Sequence, residues 1–461
     1  MGFHSYRTSR SSPQDLYERL WNLHDRHPLP YWLNVAARRV LQFLRRLRIL
    51  FLSQRKPYRR GRKGRERPVD RFEISSVDPG SPHSDEGPER EKAQRRFSQV
   101  HEVNDKLRTD QGAWIAQPQA IYHGDGISIE EVGLRVTGYL AAYRATGDSK
   151  YLQAAQQGCD YLRSERIYAD GHIRLQGHLV IDITYAFAGT ALLSLYDHTG
   201  DDQLLETACL VGDRLVDYHV SGSVNHAVTP VQLLAPLYQH TGNVRYRKEM
   251  RRRLFRTAVP MQMPYGGWLG HESWIWYHAM ITKSLILGYV SLPFDIKHQS
   301  EKDRLAQAIT AALNRFVEDY RRNGSFRIRP DPPLCETVDD EDHFSASLFK
   351  DGQFQQVETS PDDGYGHWNG YVLDALVTAY EYLDASELVP IIDHFGSAVA
   401  SSRKVSRLEF DTLGAGRYLE YVDRIRNRYM YHGPEDERPR TQDDRREGDA
   451  VARASQTLTK T

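Results

Sequence analysis

The sequence predicts an all-α fold, a ring or solenoid of helical hairpins, and three observations carry that prediction. A turn motif occurs three times at near-regular spacing. Helical apolar periodicity flanks each copy, and no stretch alternates apolar and polar residues long enough to build a central sheet.

The motif is Thr-Gly-Asp or Thr-Gly-Asn. Tyr143 to Asp148 reads YRATGD, Tyr196 to Asp201 reads YDHTGD, and Tyr238 to Asn243 reads YQHTGN, so the copies lie 53 and 42 residues apart. Such periods suit two-helix repeats. Glycine ends a helix by taking the left-handed conformation without steric cost. The Asp or Asn beside it caps the next helix through its side chain. Five residues after each Thr stands a large residue, Tyr151, Leu204 or Tyr246. Segments such as VTGYLAAYRATG and SKYLQAAQQGCDYL on either side make each copy the turn of a helical hairpin. Two further hairpins, without the tripeptide, are expected over roughly 277–320 and 367–403.

Outside the hairpins the composition changes. The zero net charge hides an asymmetry: residues 1–67 hold 17 of the 61 basic residues and only 4 of the 61 acidic ones. A basic arm is therefore joined to an acidic body, which directs the arm to an anionic surface. Within the arm (1–56), residues 31–52 place Leu33, Ala36, Val40, Phe43, Leu44, Leu47 and Phe51 at helical spacing, with Arg38, Arg39, Arg45, Arg46 and Arg48 mostly opposite. Such a helix suits peripheral contact with a membrane interface or docking on a protein surface. No basic-aromatic interleaving points to nucleic acid. Residues 57–89 read as a disordered linker, 90–432 as the hairpin domain, and 433–461 as a disordered charged tail.

Three cysteines are too few and too scattered for a disulfide framework, and Cys159 and Cys209 fall in helical patterns as buried apolar residues. No apolar run reaches transmembrane length, and no export signal is recognisable, so a cytoplasmic protein, peripheral on the inner face of the cell membrane, is expected. The acidic run Asp339 to His343 reads as a solvated loop. Scattered histidines without an i, i+4 pair or a Cys-x-x-Cys predict no metal, and no cofactor is expected.

Polar and aromatic residues gather just ahead of the first helix of each hairpin. Glu130 and Glu131 precede the first. His178, Asp182 and Tyr185 precede the second, and Asn225 and His226 the third. His271, Glu272, Trp274, Trp276, Tyr277 and His278 precede the fourth. Asp362, Asp363, His367 and Trp368 precede the fifth. The Thr-Gly-Asp turns close the opposite end of the same helices. These groups therefore converge on one rim if the first helices line the ring, and the partial positive charge of helix N-termini there favours an anionic sugar such as a uronate.

The stretch Asp182, Ile183, Thr184, Tyr185, shortly before a Thr-Gly-Asp turn, resembles the His-Asp-x-Gly-Phe stretch of the unsaturated glucuronyl hydrolases. The resemblance spans roughly residues 130–400 and implies a six-hairpin (α/α)6 toroid with Asp182 as one of two catalytic aspartates. Ile181 stands where that family has His, and Thr184 where it has Gly. His226 occupies the position of the second aspartate. The segment from Trp274 to His278 is similar to that family's Trp-containing substrate-binding segment.

Each group also has a structural reading. Asp182 is a helix cap or an acid/base. His226 is a loop residue, or a base that removes the C5 proton while Asn225 neutralises the uronate carboxylate and Tyr277 acts as acid. Glu272 is a cap or a helper of Asp182. Trp274 and Trp276 alternate, which predicts opposite sides of an extended lead-in, one packing and one stacking on sugar. His178, Tyr185, His278, Asp363, His367 and Trp368 complete the expected substrate contacts, with His178 and His278 equally suited to structural roles. The expected partner is a uronate-containing oligosaccharide, in lipid-linked glycan assembly. Hydrolysis, C5 epimerisation and β-elimination stay open as reactions, as does a non-catalytic helical-repeat binder.

Overall fold

A computed structural model of the chain describes residues 86–115, 127–173, 182–217, 223–263, 266–268, 274–294, 296–323, 326, 349–350, 353–354, 369–383, 385–401 and 408–425. The arm with the helix expected over 31–52, the linker to residue 85, the acidic run and the tail lie outside them.

Among the described residues twelve longer helices form six hairpins. They are α1 (Glu86–Lys106), α2 (Ile129–Thr146), α3 (Ser149–Tyr161), α4 (Asp182–Thr199), α5 (Asp202–Asp217), α6 (Val231–Thr241), α7 (Val244–Arg253), α8 (Ile275–Ser291), α9 (Gln299–Asn323), α10 (Asn369–Leu383), α11 (Val389–Ser401) and α12 (Leu408–Glu420). The even-numbered helices are inner: each packs on the next, from α2 through α12, and α12 packs back on α2. The odd-numbered helices lie outside them. A two-residue antiparallel pair, Phe349–Lys350 with Gln353–Phe354, is the only sheet among the described residues. No described helix is long and apolar enough to cross a membrane.

The predicted turns form as expected, with one addition. Gly147, Gly200 and Gly242 have φ of 69°, 67° and 65°, and each N–H reaches the carbonyl four residues back at 2.8 Å. A Cβ at any of the three would meet nothing within 4 Å, so backbone conformation alone demands glycine. Asp148, Asp201 and Asn243 each accept from the backbone N–H two residues on, at 3.0–3.1 Å. The threonines take part too. Thr146, Thr199 and Thr241 donate to the carbonyls of Ala142, Leu195 and Leu237 and accept from the N–H of Asp148, Asp201 and Asn243. One hydroxyl thus bonds back to the carbonyl four residues earlier and satisfies the amide of the capping residue at each turn. Tyr151, Leu204 and Tyr246 are buried beneath them.

The sixth hairpin joins the two ends of the described chain: α12 supplies its inner helix and α1 its outer one. Asn104 Nδ2 donates to Thr412 Oγ1 at 2.7 Å across that contact. Closure of the inner ring is a backbone contact. A Cβ on Gly138 would sit 2.3 Å from the Thr412 carbonyl oxygen, and one on Gly416 would sit 2.2 Å from the Gly138 carbonyl oxygen. Only glycines allow α2 and α12 to approach so closely.

The interior of the ring is filled. Phe187 on α4 and Tyr371 on α10 stack across it, with ring centroids 6.0 Å apart. One helical turn further from the mouth, Asp374 of α10 receives Lys283 of α8 at 2.5 Å and Arg417 of α12 at 3.0 Å. The aromatic pair is therefore the floor of any cavity at the N-terminal ends of the inner helices. Cys159 is buried in the layer between inner and outer helices, and Cys209 is half-buried.

Candidate active site

The rim at the N-terminal ends of the inner helices holds the predicted residues that the structure describes. Asp182 opens α4 and is buried. Its Oδ2 accepts from Arg253 Nη1 at 3.0 Å. Arg253 is the last residue of α7, immediately before a π-helical turn, Leu254–Ala258, and no part of it reaches solvent. Its guanidinium makes three further bonds: Nε to Glu249 Oε1 at 2.7 Å, Nη1 to the Ala227 carbonyl at 2.8 Å, and Nη2 to the Leu215 carbonyl at 2.8 Å. Burial works against its charge, but Asp182 and Glu249 together outweigh that and hold its pKa above the ordinary arginine value.

Arg253 ties Asp182 to the segment carrying Asn225 and His226. That segment is a five-residue helix, Val224–Val228, packed between the ends of α4 and α8. Ala227, whose carbonyl Arg253 holds, directly follows His226. Asn225 is fully buried. Its Oδ1 accepts from the Ser223 hydroxyl, and its carbonyl accepts from Thr229 Oγ1 at 2.7 Å. Its Nδ2 has no hydrogen-bond acceptor. A buried amide donor left over inside a native fold calls for an explanation, and an anionic ligand group supplies one. His226 is half-buried beside it.

The next inner helix, α8, behaves differently from the sequence expectation. Trp274 caps it and Trp276 lies in its first turn, yet the two rings meet edge-on with centroids 4.3 Å apart and both are buried. The chain turns helical between them, so the alternation of an extended lead-in does not apply. His278 points away from the interior of the ring: its Nε2 bonds the Ala312 carbonyl of α9 at 3.0 Å, and Trp268 and Phe316 flank it. Burial pushes its pKa down to about 4, with the Ala312 bond opposing, so it stays neutral. Its place is in packing, not on a substrate. Tyr185 likewise is buried, and its hydroxyl accepts from the Ile173 N–H at 3.4 Å. Tyr277 is half-buried in the first turn of α8, 5.6 Å from Trp276. His178, Glu272, Asp363, His367 and Trp368 lie outside the described residues.

One rim carboxylate to which the sequence assigned no role stands out. Glu130 lies in the first turn of α2, the inner helix beside α4, and its Oε1 accepts from Thr184 Oγ1 at 2.9 Å. Burial pushes its pKa up, against the pull of the Thr184 bond. The signal available in the sequence was the acid pair Glu130 and Glu131 facing, one hairpin on, a threonine where the glucuronyl hydrolases have glycine. Among the described residues no three His, Cys, Asp or Glu side chains are grouped to hold a metal ion.

No family model matches the sequence, and no curated protein is similar to it at a significant level. Solved structures do share its fold. A sugar epimerase from a ruminal bacterium is 10% identical, with a TM-score of 0.51 over 73% of this chain and 98% of that one. A glycosyl hydrolase of family 88 from Bacteroides vulgatus is 12% identical, with a TM-score of 0.52 over 73% of this chain and 99% of that one. The twelve-helix ring is the (α/α)6 toroid found in carbohydrate-active enzymes.

Proposed function

We propose that the protein is a carbohydrate-active enzyme that processes a hexuronic-acid-containing glycan at the mouth of the toroid, by chemistry like that of a glycoside hydrolase. One observation carries this reading. One buried guanidinium bonds both Asp182 and the carbonyl of Ala227, the residue after His226, at the N-terminal ends of neighbouring inner helices, and the Asn225 amide keeps a donor unspent. A uronate carboxylate is a ligand of the right charge and shape for that donor and for the positive ends of the inner helices. Asp182, His226, Tyr277 and Glu272 are the groups assigned to proton transfer, and the aromatic and polar residues of the rim, including Asp363, His367 and Trp368, to holding the sugar.

C5 epimerisation or β-elimination is the second reading, favoured by the histidine in place of a second aspartate. Both reactions begin with proton removal beside a carboxylate, which suits His226 with Tyr277 as acid. The fold shared with a sugar epimerase is compatible with it. The basic 31–52 segment supports a place on the cytoplasmic membrane face, with the glycan on a lipid carrier.

The test is direct. Purified protein is incubated with glucuronate- and galacturonate-terminated oligosaccharides, saturated and unsaturated, and the products are read by mass spectrometry, with solvent-deuterium uptake at C5 followed in parallel. Cleavage supports hydrolysis or elimination, and deuterium uptake without cleavage supports epimerisation. No change in any substrate, with an intact fold, would refute the enzyme reading.

A further inference from the structure

Glu130 has no role in the chemistry above, yet its setting is that of a working carboxyl. It stands in the first turn of α2, on the same rim as Asp182 but one inner helix away. Thr184 sits on α4 one turn above Phe187, the residue that stacks on Tyr371 across the ring. Residues three apart share a helix face, so Thr184 and the carboxyl it holds lie over the aromatic floor. Asp182, five residues from Phe187, falls on a different face and turns to Arg253 in the outer layer.

Oε1 of Glu130 accepts from Thr184 at 2.9 Å, and the residue is half-buried, so part of its side chain reaches solvent. One oxygen is anchored on a side chain that is not enclosed, the arrangement a proton donor needs. The charged groups of the surrounding elements are engaged with partners of their own. On α2, Glu131 and Arg135 pair at 3.4 Å, and on α4, Asp182 pairs with Arg253. On α12, Asp411 pairs with Arg96 at 3.6 Å, and beyond the end of α3 Arg166 donates to the Tyr161 hydroxyl.

We infer that Glu130, oriented by Thr184, is the proton-donating carboxyl of the mouth, and that Asp182 acts with Arg253 as a positioning pair. The inference rests on the proposed glycan-processing reading and moves proton donation within it from Asp182, which Arg253 engages, to Glu130. In hydrolysis, the O–H bond of Glu130 breaks as an O–H bond forms to the departing glycosidic oxygen. That oxygen keeps the electron pair of the breaking C–O bond. Water supplies the hydroxyl of the other fragment, and its proton returns to Glu130. Desolvation favours the protonated form that this step requires, and Thr184 moderates it.

The test uses the full chain and whichever uronate-terminated oligosaccharide the wild type converts. Glu130→Gln, nearly isosteric, should lower kcat/KM at least a hundredfold, the usual scale of a lost general acid. Its circular dichroism and its binding of unreacted oligosaccharide, read by tryptophan fluorescence, should be retained. Thr184→Val should move the alkaline limb of the pH–rate profile upward. Removing a bond that lowers the carboxyl's pKa lets it keep its proton to higher pH, and a purely structural change would not shift that limb. Conversion by the wild type with full activity in Glu130→Gln, or an unmoved limb in Thr184→Val, overturns the inference alone. A wild type inert on every oligosaccharide overturns the glycan reading, and this inference with it.

Discussion

Replacing Arg253 by methionine should destabilise the protein more than any other single change at the rim. Methionine keeps much of the side-chain volume and removes the guanidinium. Asp182 then keeps a buried carboxylate without its cation, and the carbonyls of Ala227 and Leu215 each lose a donor. Glu249 is spared, because Arg252 still reaches it at 2.5 and 2.6 Å. Breaking one side of a buried ion pair costs about 3–5 kcal/mol, and each abandoned carbonyl adds about 1 kcal/mol or more. A total of about 5–7 kcal/mol is comparable with the whole stability of many domains. Urea unfolding followed by tryptophan fluorescence measures it. The companion variant Asp182→Asn, alone and combined with Arg253→Met, completes a cycle. Removing the stranded charge should restore about 2 kcal/mol or more of what Arg253→Met loses. A loss below about 1 kcal/mol in Arg253→Met, or strict additivity of the two changes, would refute the view that this guanidinium fixes the rim.

Three further outcomes are expected. Gly138→Ala should cost several kcal/mol, about 3 or more, because its Cβ would lie 2.3 Å from the Thr412 carbonyl oxygen where α2 and α12 close the ring; a midpoint shift read by calorimetry checks it. Gly200→Ala should cost only about 1 kcal/mol, since the left-handed conformation is strained but the space is open, and urea unfolding should separate the two glycines clearly. His278 has a folded pKa near 4, below the ordinary value of 6.5. The unfolded chain therefore binds its proton more readily: the contribution is complete above pH 6.5 and is lost as pH falls through that value towards 4. The loss is on the order of 3 kcal/mol, and His278→Gln should flatten that part of the stability–pH curve.

The Thr-Gly-Asp turns were legible because they are local. Glycine φ, an Asx cap and a buried residue five positions on from Thr are set by neighbours in the chain, and the structure shows all three at each copy. Three hairpins could be read from such turns, and two more from apolar periodicity. The sixth could not, since its inner helix α12 and outer helix α1 come from opposite ends of the described chain and no short-range pattern links them. At the rim the division is the same. Sequence placed Asp182, Asn225, His226 and Tyr277 at the starts of inner helices, which is a matter of spacing along the chain. Which way a side chain points is a matter of helix phase and of partners far away. Arg253, 71 residues beyond Asp182, turned that carboxylate towards the outer layer. The carbonyl of Ala312 drew His278 out of the ring, and an early helical turn brought Trp274 and Trp276 together. Glu130 gained its place above the floor only when α2 and α4 lay side by side. The chain's own periodicity determined that there would be hairpins and where their turns would fall. Closure of the ring, through two glycines that let backbones touch, decided which polar groups face the interior.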